Sequence, residues 1–196
     1  RHLVPFPWPP LPAHGGAQFA IGLFEGGLAR MAEEFRAVRT AELELAGRYD
    51  AAEHGAFFRR FSWREFTGEE LALCPPLVVT ADNTFDPGAL HGLLESGRPL
   101  RVLVMQRTPK PRNGIALALG HAGVFVLQTS ISNTAHFADG VADALAARGP
   151  ALLQVYSPES GAGLAELAVA TRACPLYRYD GALGATPDAC LDLSGN

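Results

Sequence analysis

The sequence predicts an α/β fold in which an open, mostly parallel sheet is flanked by helices. Short apolar runs alternate with helical patterns between Pro75 and Pro175, and turn residues separate them. The chain has 196 residues, 48% hydrophobic and 18% charged, which is enough to bury a full core. Strands are predicted at 77–81, 100–105, 122–128 and 151–156, and helices at 87–96, 133–147 and 161–173. This alternation is typical of parallel strands joined by right-handed crossovers.

The sheet is preceded by a proline-rich segment and a long helical pattern. Arg1 to Gly16 is too rich in proline for a helix or a central strand, so an extended arm is expected. From Phe19 to Gly47 the spacing predicts a long amphipathic helix that ends at Gly47. Its apolar stripe comprises Phe24, Leu28, Met31, Phe35, Val38 and Leu45.

Two shorter helical patterns precede the first strand. Tyr49 to Phe61 indicates a short helical turn, and the aromatic residues that follow are expected to pack in a core rather than bind a ligand. Thr67 and Glu70 form a capping-box pattern for a short helix that ends at Cys74. The chain is therefore divided into an arm (1–16), a helical segment (17–74), an α/β core (75–175) and a tail (176–196).

The ends of the later helices are also marked. Ser132 is predicted to cap the helix at 133–147, and Gly149-Pro150 ends it. The tail from Leu176 to Asn196 is predicted to be loop-like, with one edge strand at a position that the sequence does not specify.

Charge and cysteine content exclude several classes of function. A net charge of -4 argues against a surface that binds nucleic acid, since binding to the phosphate backbone needs a clustered cationic patch. No apolar run approaches the roughly twenty residues that cross a bilayer, and Arg1 to Pro12 is too proline-rich for a secretory signal, so a cytoplasmic location is expected. Cys74, Cys174 and Cys190 include no CxxC pair, which favours buried or half-buried thiols over a disulfide or a self-contained metal site.

Oxygen-bearing side chains follow the first two predicted strands. Asp82-Asn83 comes directly after the first strand, and Asn113-Gly114 follows the second. Because loops beyond the carboxyl ends of neighbouring parallel strands form one crevice, these groups are expected to meet. A carboxylate and an amide oxygen suit a hard cation that bridges a diphosphate.

Other polar residues carry weaker signals. The six histidines show no HxH or HExxH pattern, and only His121 and His136 lie near predicted element ends. No serine lies in a GxSxG elbow. Gly161-Ala162-Gly163 before a helix is either a phosphate seat or an ordinary turn. The cations Arg107, Lys110 and Arg112 either bind diphosphate or form a solvated loop.

A set of short motifs in a fixed order carries a family resemblance. They are Phe24-Glu25-Gly26, Arg30-Met31-Ala32, Phe35-Arg36-Ala37-Val38-Arg39, Leu73-Cys74-Pro75-Pro76, Ser96-Gly97 before Val102-Leu103-Val104, Phe125-Val126-Leu127-Gln128, Pro175-Leu176-Tyr177-Arg178-Tyr179-Asp180 and Asp192-Leu193-Ser194-Gly195-Asn196. From about Ala17 onward, the chain resembles the thiamine-diphosphate domain of 2-oxoacid (pyruvate-type):ferredoxin or flavodoxin oxidoreductases, of the fused bacterial kind. The resemblance implies the thiamine-diphosphate-binding fold.

The resemblance also implies a cofactor site. In that family an Asp from Gly-Asp-Gly and an Asn from Ser-Asn-Thr-Gly-Gly hold thiamine diphosphate through Mg²⁺, and the cofactor supports oxidative decarboxylation of a 2-oxoacid. The matching metal ligands here are Asp82 and Asn113. The residues expected to bind the cofactor are Asp82, Asn83, Thr108, Arg112, Asn113 and Gly114. The implied partners are other domains or subunits of the oxidoreductase and ferredoxin or flavodoxin. Separately, the proline-rich arm and the long amphipathic helix suggest surfaces for a partner, which is compatible with a homo-oligomer.

The chain departs from the family pattern at several places. Ala81 and Asn83 stand where the family has glycines beside the Asp, and an ungapped count puts Arg112 at the family's Asn position. After Gly114 the family's covering loop is missing, and the chain is expected to pass almost directly into the next strand. Ser157-Pro158-Glu159 follows the fourth strand where the family has a cysteine for an iron–sulfur cluster, so a cluster in this chain is not expected.

Two hypotheses follow from these observations. The first is a thiamine-diphosphate domain of a 2-oxoacid oxidoreductase that is inactive without partner domains. The second is a degenerate homologue or fragment that has kept the fold and acts as an interaction or structural module.

Overall fold

A computed structural model describes residues 16–81, 86–109, 114–184 and 186–195. The predicted proline-rich arm, apart from Gly16, lies outside the described residues. The chain forms two compact units, one of residues 20–75 and one of residues 16–19 with 76–195. Within the part of the chain that the structure describes, no helix has both the length and the apolar character needed to span a membrane.

The elements alternate as predicted after Pro76. The helices are α1 Gly16–Leu45, α2 Ala51–Arg60, α3 Gly68–Leu73, α4 Pro87–Glu95, α5 Gly114–Leu119, α6 Thr134–Ala146, α7 Ala162–Ala170 and α8 Pro187–Cys190. The strands are β1 Val78–Ala81, β2 Arg101–Gln106, β3 Phe125–Ser130, β4 Ala151–Tyr156, β5 Tyr177–Asp180 and β6 Leu191–Asp192. The predicted α/β class, with a long helix before the sheet, is confirmed.

The six strands form one open sheet in the order β1-β2-β4-β3-β5-β6. The first four are mutually parallel, as predicted. β5 and β6 then extend the sheet in antiparallel fashion, with Leu127 opposite Arg178. The sequence predicts one edge strand in this tail, whereas the structure has two strands and the short helix α8.

Both faces of the sheet are covered. Side chains alternate between the faces with a period of two. On one face, Phe125, Leu127 and Leu153 pack with Ala144 of α6. On the other face, Tyr156 of β4 packs with α7. Such burial on two sides explains why these strands are nearly continuous apolar runs.

In the helical unit, the C-terminus of α1 is set by Gly47. This residue has φ +63°, a left-handed conformation that glycine adopts without strain. The backbone N–H of Arg48 donates to the carbonyl of Leu43 at 2.8 Å, and that of Gly47 donates to Glu44 at 3.0 Å. These are the two hydrogen bonds of a Schellman motif, so the predicted helix stop is confirmed. The predicted apolar stripe is buried only in its first part. Near the end of the stripe, Val38 is 55% exposed and Leu45 is 91% exposed.

An aromatic cluster forms the core of the helical unit. The rings of Phe35 and Phe66 meet edge to face at 4.9 Å, and the Arg39 guanidinium lies 4.7 Å from the centre of the Phe61 ring. Arg39 also forms a two-pronged ion pair with Glu70. Glu70 in turn completes the capping box that the sequence predicts with Thr67. The expectation that these aromatic residues pack in a core is confirmed for Phe58, Phe61 and Phe66, which are buried, whereas Phe57 is 41% exposed.

The helical turn predicted within Tyr49 to Phe61 is confirmed: it is the ten-residue helix α2, which the side chain of Asp50 caps. Two other local predictions are wrong. The cap of α6 is Asn133 and not Ser132, because the Ser132 hydroxyl is hydrogen-bonded to Ser130 while Asn133 Oδ1 accepts the N–H of His136 at 3.0 Å. The chain after Gly114 forms helix α5 rather than passing directly into a strand.

A buried arginine closes the corner where α6 turns back into β4. Arg101, the first residue of β2, is only 4% exposed. Its guanidinium donates to the carbonyls of Gly149 at 2.9 Å and Leu145 at 3.0 Å, and also to that of Ala147. Burial lowers the pKa of Arg101, but a guanidinium stays cationic at neutral pH. The positive charge therefore lies at the negative end of the α6 dipole.

Candidate functional site

The sheet brings the ends of β1 and β2 side by side. The two strands are parallel and in register, from Val78 opposite Arg101 to Ala81 opposite Val104. In the sequence, Asp82 comes directly after β1, and Asn113 comes between the end of β2 and the start of α5. Both connections therefore start from the same edge of the sheet, where open α/β sheets bind ligands. This adjacency is the feature that the sequence predicts for a diphosphate-bound cation.

The structure describes only part of the predicted ligand set. Thr108 is exposed after β2, and Gly114 is the first residue of α5. The other predicted residues, Asp82, Asn83, Arg112 and Asn113, lie outside the described residues. The predicted metal ligands Asp82 and Asn113 are both in this group, so their placement stays a prediction.

A row of buried glutamines lies below this edge. Gln154 of β4 is opposite Val104 of β2 and Gln128 of β3 in the sheet register, so it shares their face. Gln106 Nε2 donates to Gln154 Oε1 at 3.0 Å, and Gln128 Nε2 donates to the carbonyl of Pro175 at 2.8 Å. Gln128 Oε1 is buried and has no hydrogen-bond partner. Sequence analysis missed this row, although one glutamine in each of three apolar strands was a visible signal.

The loop after β4 is tied to the end of β2. The backbone N–H of Ser157 donates to the Gln106 carbonyl at 2.8 Å, and the Arg107 guanidinium donates to the Ser157 carbonyl at 3.0 Å. Both main-chain groups of Ser157 are thus engaged. Since Arg107 lies against this loop, one of the three cations predicted near the crevice already has a partner. Lys110 and Arg112 lie outside the described residues.

His136 lies beneath the end of β3. It is 5% exposed, and its Nδ1 is 3.0 Å from the Thr129 hydroxyl. The pKa of His136 is lowered, first by burial and then by Arg178, against the smaller opposite effects of Asp192 and Asp139. A Cβ atom on Gly195 would lie 2.4 Å from Cδ2 of His136. The C-terminal segment covers this ring, so the geometry favours a packed core histidine over a general base.

The cysteines do not form a cluster site. Cys174 is 1% exposed and Cys190 is 5% exposed, while Cys74 is half-buried in the helical unit. Burial raises the pKa of Cys174 to about 11, and burial together with the Glu70 charge raises the pKa of Cys74. Thiols of this kind are poor sources of the thiolate that ligates iron.

We expect iodoacetamide at pH 8 to modify Cys74 at least about ten times faster than Cys174 or Cys190 in the folded chain, because only Cys74 is partly accessible. Mass spectrometry of peptides from timed reactions measures the three rates. In urea all three rates are expected to converge. A Cys174 rate equal to that of Cys74 before unfolding would contradict the packing around β4 and α7.

Among residues 16–81, 86–109, 114–184 and 186–195, no three His, Cys, Asp or Glu side chains are grouped so as to hold a metal ion. The predicted magnesium ligands Asp82 and Asn113 are outside these ranges, and two observations bear on them: the chemistry of their side chains and the order of the strands. Carboxylate and amide oxygens suit Mg²⁺, and β1 and β2 are neighbours.

Fold and site together define an α/β protein with an open sheet and polar residues at the carboxyl edge of its parallel strands. Comparison of the sequence with protein-family models finds no match, and comparison with curated proteins finds none either.

Proposed function

We propose that the chain is a cofactor-binding domain of the 2-oxoacid:ferredoxin oxidoreductase type, with thiamine diphosphate and Mg²⁺ held at the ends of β1 and β2. The observation that carries the proposal is the parallel pairing of β1 with β2, because the strand that precedes Asp82 and the strand that precedes Thr108 then end at the same edge of the sheet. The order of motifs along the chain supports the same family. The thiamine-diphosphate-binding fold is part of this proposal.

In this proposal the chain holds the cofactor and the remaining machinery comes from elsewhere. The Asp82 carboxylate and the Asn113 amide oxygen would bind Mg²⁺, with Asn83, Thr108, Arg112 and Gly114 contacting the diphosphate side. When bound, thiamine diphosphate supplies the carbanion-stabilising chemistry for decarboxylation of a 2-oxoacid. Partner domains or subunits would provide the cluster cysteines and the route to ferredoxin or flavodoxin.

A second candidate function is an interaction module that has kept the fold and lost cofactor chemistry. The loop after β4 favours it, because Ser157-Pro158-Glu159 stands where the family has a cluster cysteine, and the backbone of Ser157 is hydrogen-bonded to Gln106 of β2 and to the Arg107 side chain. The residues beside Asp82 also favour the interaction module, because they are not the glycines that the family has at these two positions.

Calorimetric titration with thiamine diphosphate, with Mg²⁺ or with chelator, tests the first candidate. We expect a Kd on the order of micromolar that requires Mg²⁺. Asp82→Ala is expected to abolish this binding, because the cation loses its only carboxylate ligand in the proposed set. Asp188→Ala is the matched control, since Asp188 is exposed on α8.

The outcomes separate the two candidates. Unchanged affinity in Asp82→Ala would remove Asp82 from the site. A wild-type chain that is folded by circular dichroism but binds nothing up to about millimolar cofactor would contradict the cofactor-binding proposal and favour the interaction module.

A further inference from the structure

Two histidines from successive connections of the sheet lie against each other. His91 is on α4, and His121 follows α5 with its backbone N–H hydrogen-bonded to Ala118. Nδ1 of His91 is 3.1 Å from Nε2 of His121, and the ring centres are 4.9 Å apart. The residues are thirty positions apart in the sequence, so no local motif reveals the pair.

The mutual orientation of the rings fits a shared ion. A straight hydrogen bond between two imidazoles in line would place their ring centres about 5.4 Å apart, so the observed pair is bent. The alternative is two imidazole nitrogens that bind one ion, each at about 2.05 Å, with a nitrogen–ion–nitrogen angle of about 100°. In that geometry the two nitrogens lie about 3.1 Å apart and the ring centres about 5 Å apart. The observed distances of 3.1 Å and 4.9 Å match both values.

A carboxylate lies on the far side of His91. Glu95 is one turn further along α4, and its Oε2 is 3.3 Å from Nε2 of His91. A carboxylate in this position holds the ring proton on Nε2, so the lone pair of Nδ1 points toward His121. Metal-bound histidines commonly have such a partner on their second nitrogen.

We propose that His91 and His121 bind one divalent transition-metal ion, and that Glu95 is a positioning residue for His91. Since no third His, Cys, Asp or Glu of the described residues joins them, water completes the coordination. Two neutral imidazoles select Zn²⁺, Ni²⁺ or Cu²⁺ over Mg²⁺ or Ca²⁺. The His91 side chain is 49% exposed, so the ion enters from solvent. The bound ion would link α4 to the segment after α5.

The site is tested by titrating the full chain with Zn²⁺ at pH 7.5 in a non-chelating buffer. One ion per chain is expected to bind with a Kd on the order of micromolar. His91→Ala and His121→Ala are each expected to weaken binding at least about tenfold, because each leaves a single imidazole. His54→Ala is the control, since Nδ1 of His54 is engaged by the backbone N–H of Asp50.

Two further measurements separate a shared ion from independent surface histidines. The His91→Ala/His121→Ala double variant is expected to bind Zn²⁺ as weakly as the weaker single variant. Glu95→Gln is expected to lose about threefold to tenfold in affinity while keeping one ion per chain. Saturating Zn²⁺ is expected to raise the melting temperature of the wild-type chain by roughly 5 °C. The melting temperature of His91→Ala is expected to stay unchanged when Zn²⁺ is added.

Three results would overturn the proposal. The first is a Zn²⁺ affinity that is unchanged in either single variant. The second is a double variant whose loss of binding free energy equals the sum of the two single losses. The third is a wild-type chain that binds no Zn²⁺ up to about millimolar. None of these results depends on thiamine diphosphate or Mg²⁺, so the site is independent of the proposed function.

Discussion

Replacing Arg101 with methionine is expected to lower the free energy of unfolding by about 3 kcal/mol. Three carbonyls near the end of α6, those of Leu145, Ala147 and Gly149, would lose their donor in a buried corner. Hydrogen bonds to a charged donor contribute about 1.5–3 kcal/mol each, and relief of the buried charge offsets part of their sum. Methionine fills a similar volume, so the loss reports mainly on the polar contacts.

Urea unfolding followed by circular dichroism measures this change as a shift of the midpoint at constant slope. Arg101→Lys is expected to lower the free energy of unfolding by less, about 1–2 kcal/mol, because an ammonium keeps the charge but cannot reach all three carbonyls. Arg148→Met is the matched control, since Arg148 is exposed near the same corner, and its effect is expected within about 0.5 kcal/mol. A loss below about 1 kcal/mol in Arg101→Met would show that water or another donor serves these carbonyls.

Gly149→Ala is expected to destabilise the chain by about 3 kcal/mol. A Cβ atom at this position would lie 2.3 Å from the carbonyl oxygen of Gly123. The obstructing atom belongs to the backbone, and Gly123 has φ +71°, so relief requires the turn before β3 to move. That movement would disturb the starts of β3 and β4 together, because Phe125 is paired with Ala151.

The control for this substitution is Gly163→Ala on α7, where a Cβ atom meets nothing within 4 Å. It is expected to be neutral or to stabilise by up to about 1 kcal/mol, since alanine is the better helix former. Thermal unfolding of both variants gives the comparison. Equal melting temperatures for Gly149→Ala and the wild-type chain would mean that the two turns are not held as the structure describes.

Much of the architecture could be predicted because it is encoded locally. Apolar runs bounded by turn residues marked the four parallel strands, and the Thr67–Glu70 spacing marked the start of α3. Two short elements lacked such signals. The apolar run Gly114–Leu119 is compatible with a helix or with the approach to a strand, and β6 has only two residues.

Strand order could not be predicted because it depends on contacts distant in sequence. β4 lies between β2 and β3, and the resulting match of Gln154 with Gln128 has no local pattern. The pairing of Arg101 with the end of α6 is of the same kind. For the candidate site, the predicted neighbouring parallel strands that precede Asp82 and Asn113 in the sequence are confirmed, while the placement of Asp82 and Asn113 and their coordination stay predictions.

The position of β5 has a consequence for synthesis of the chain. β3 is flanked by β4 on one side and by β5 on the other, and β5 is Tyr177–Asp180. A nascent chain that has emerged only as far as β4 therefore carries β3 with one row of backbone donors and acceptors unpaired, in a strand that is buried on both faces in the folded chain. Until the ribosome has released the segment that follows Pro175, that edge is open to pairing with another chain. A premature stop before Tyr177 is thus expected to give aggregated product rather than a smaller soluble sheet.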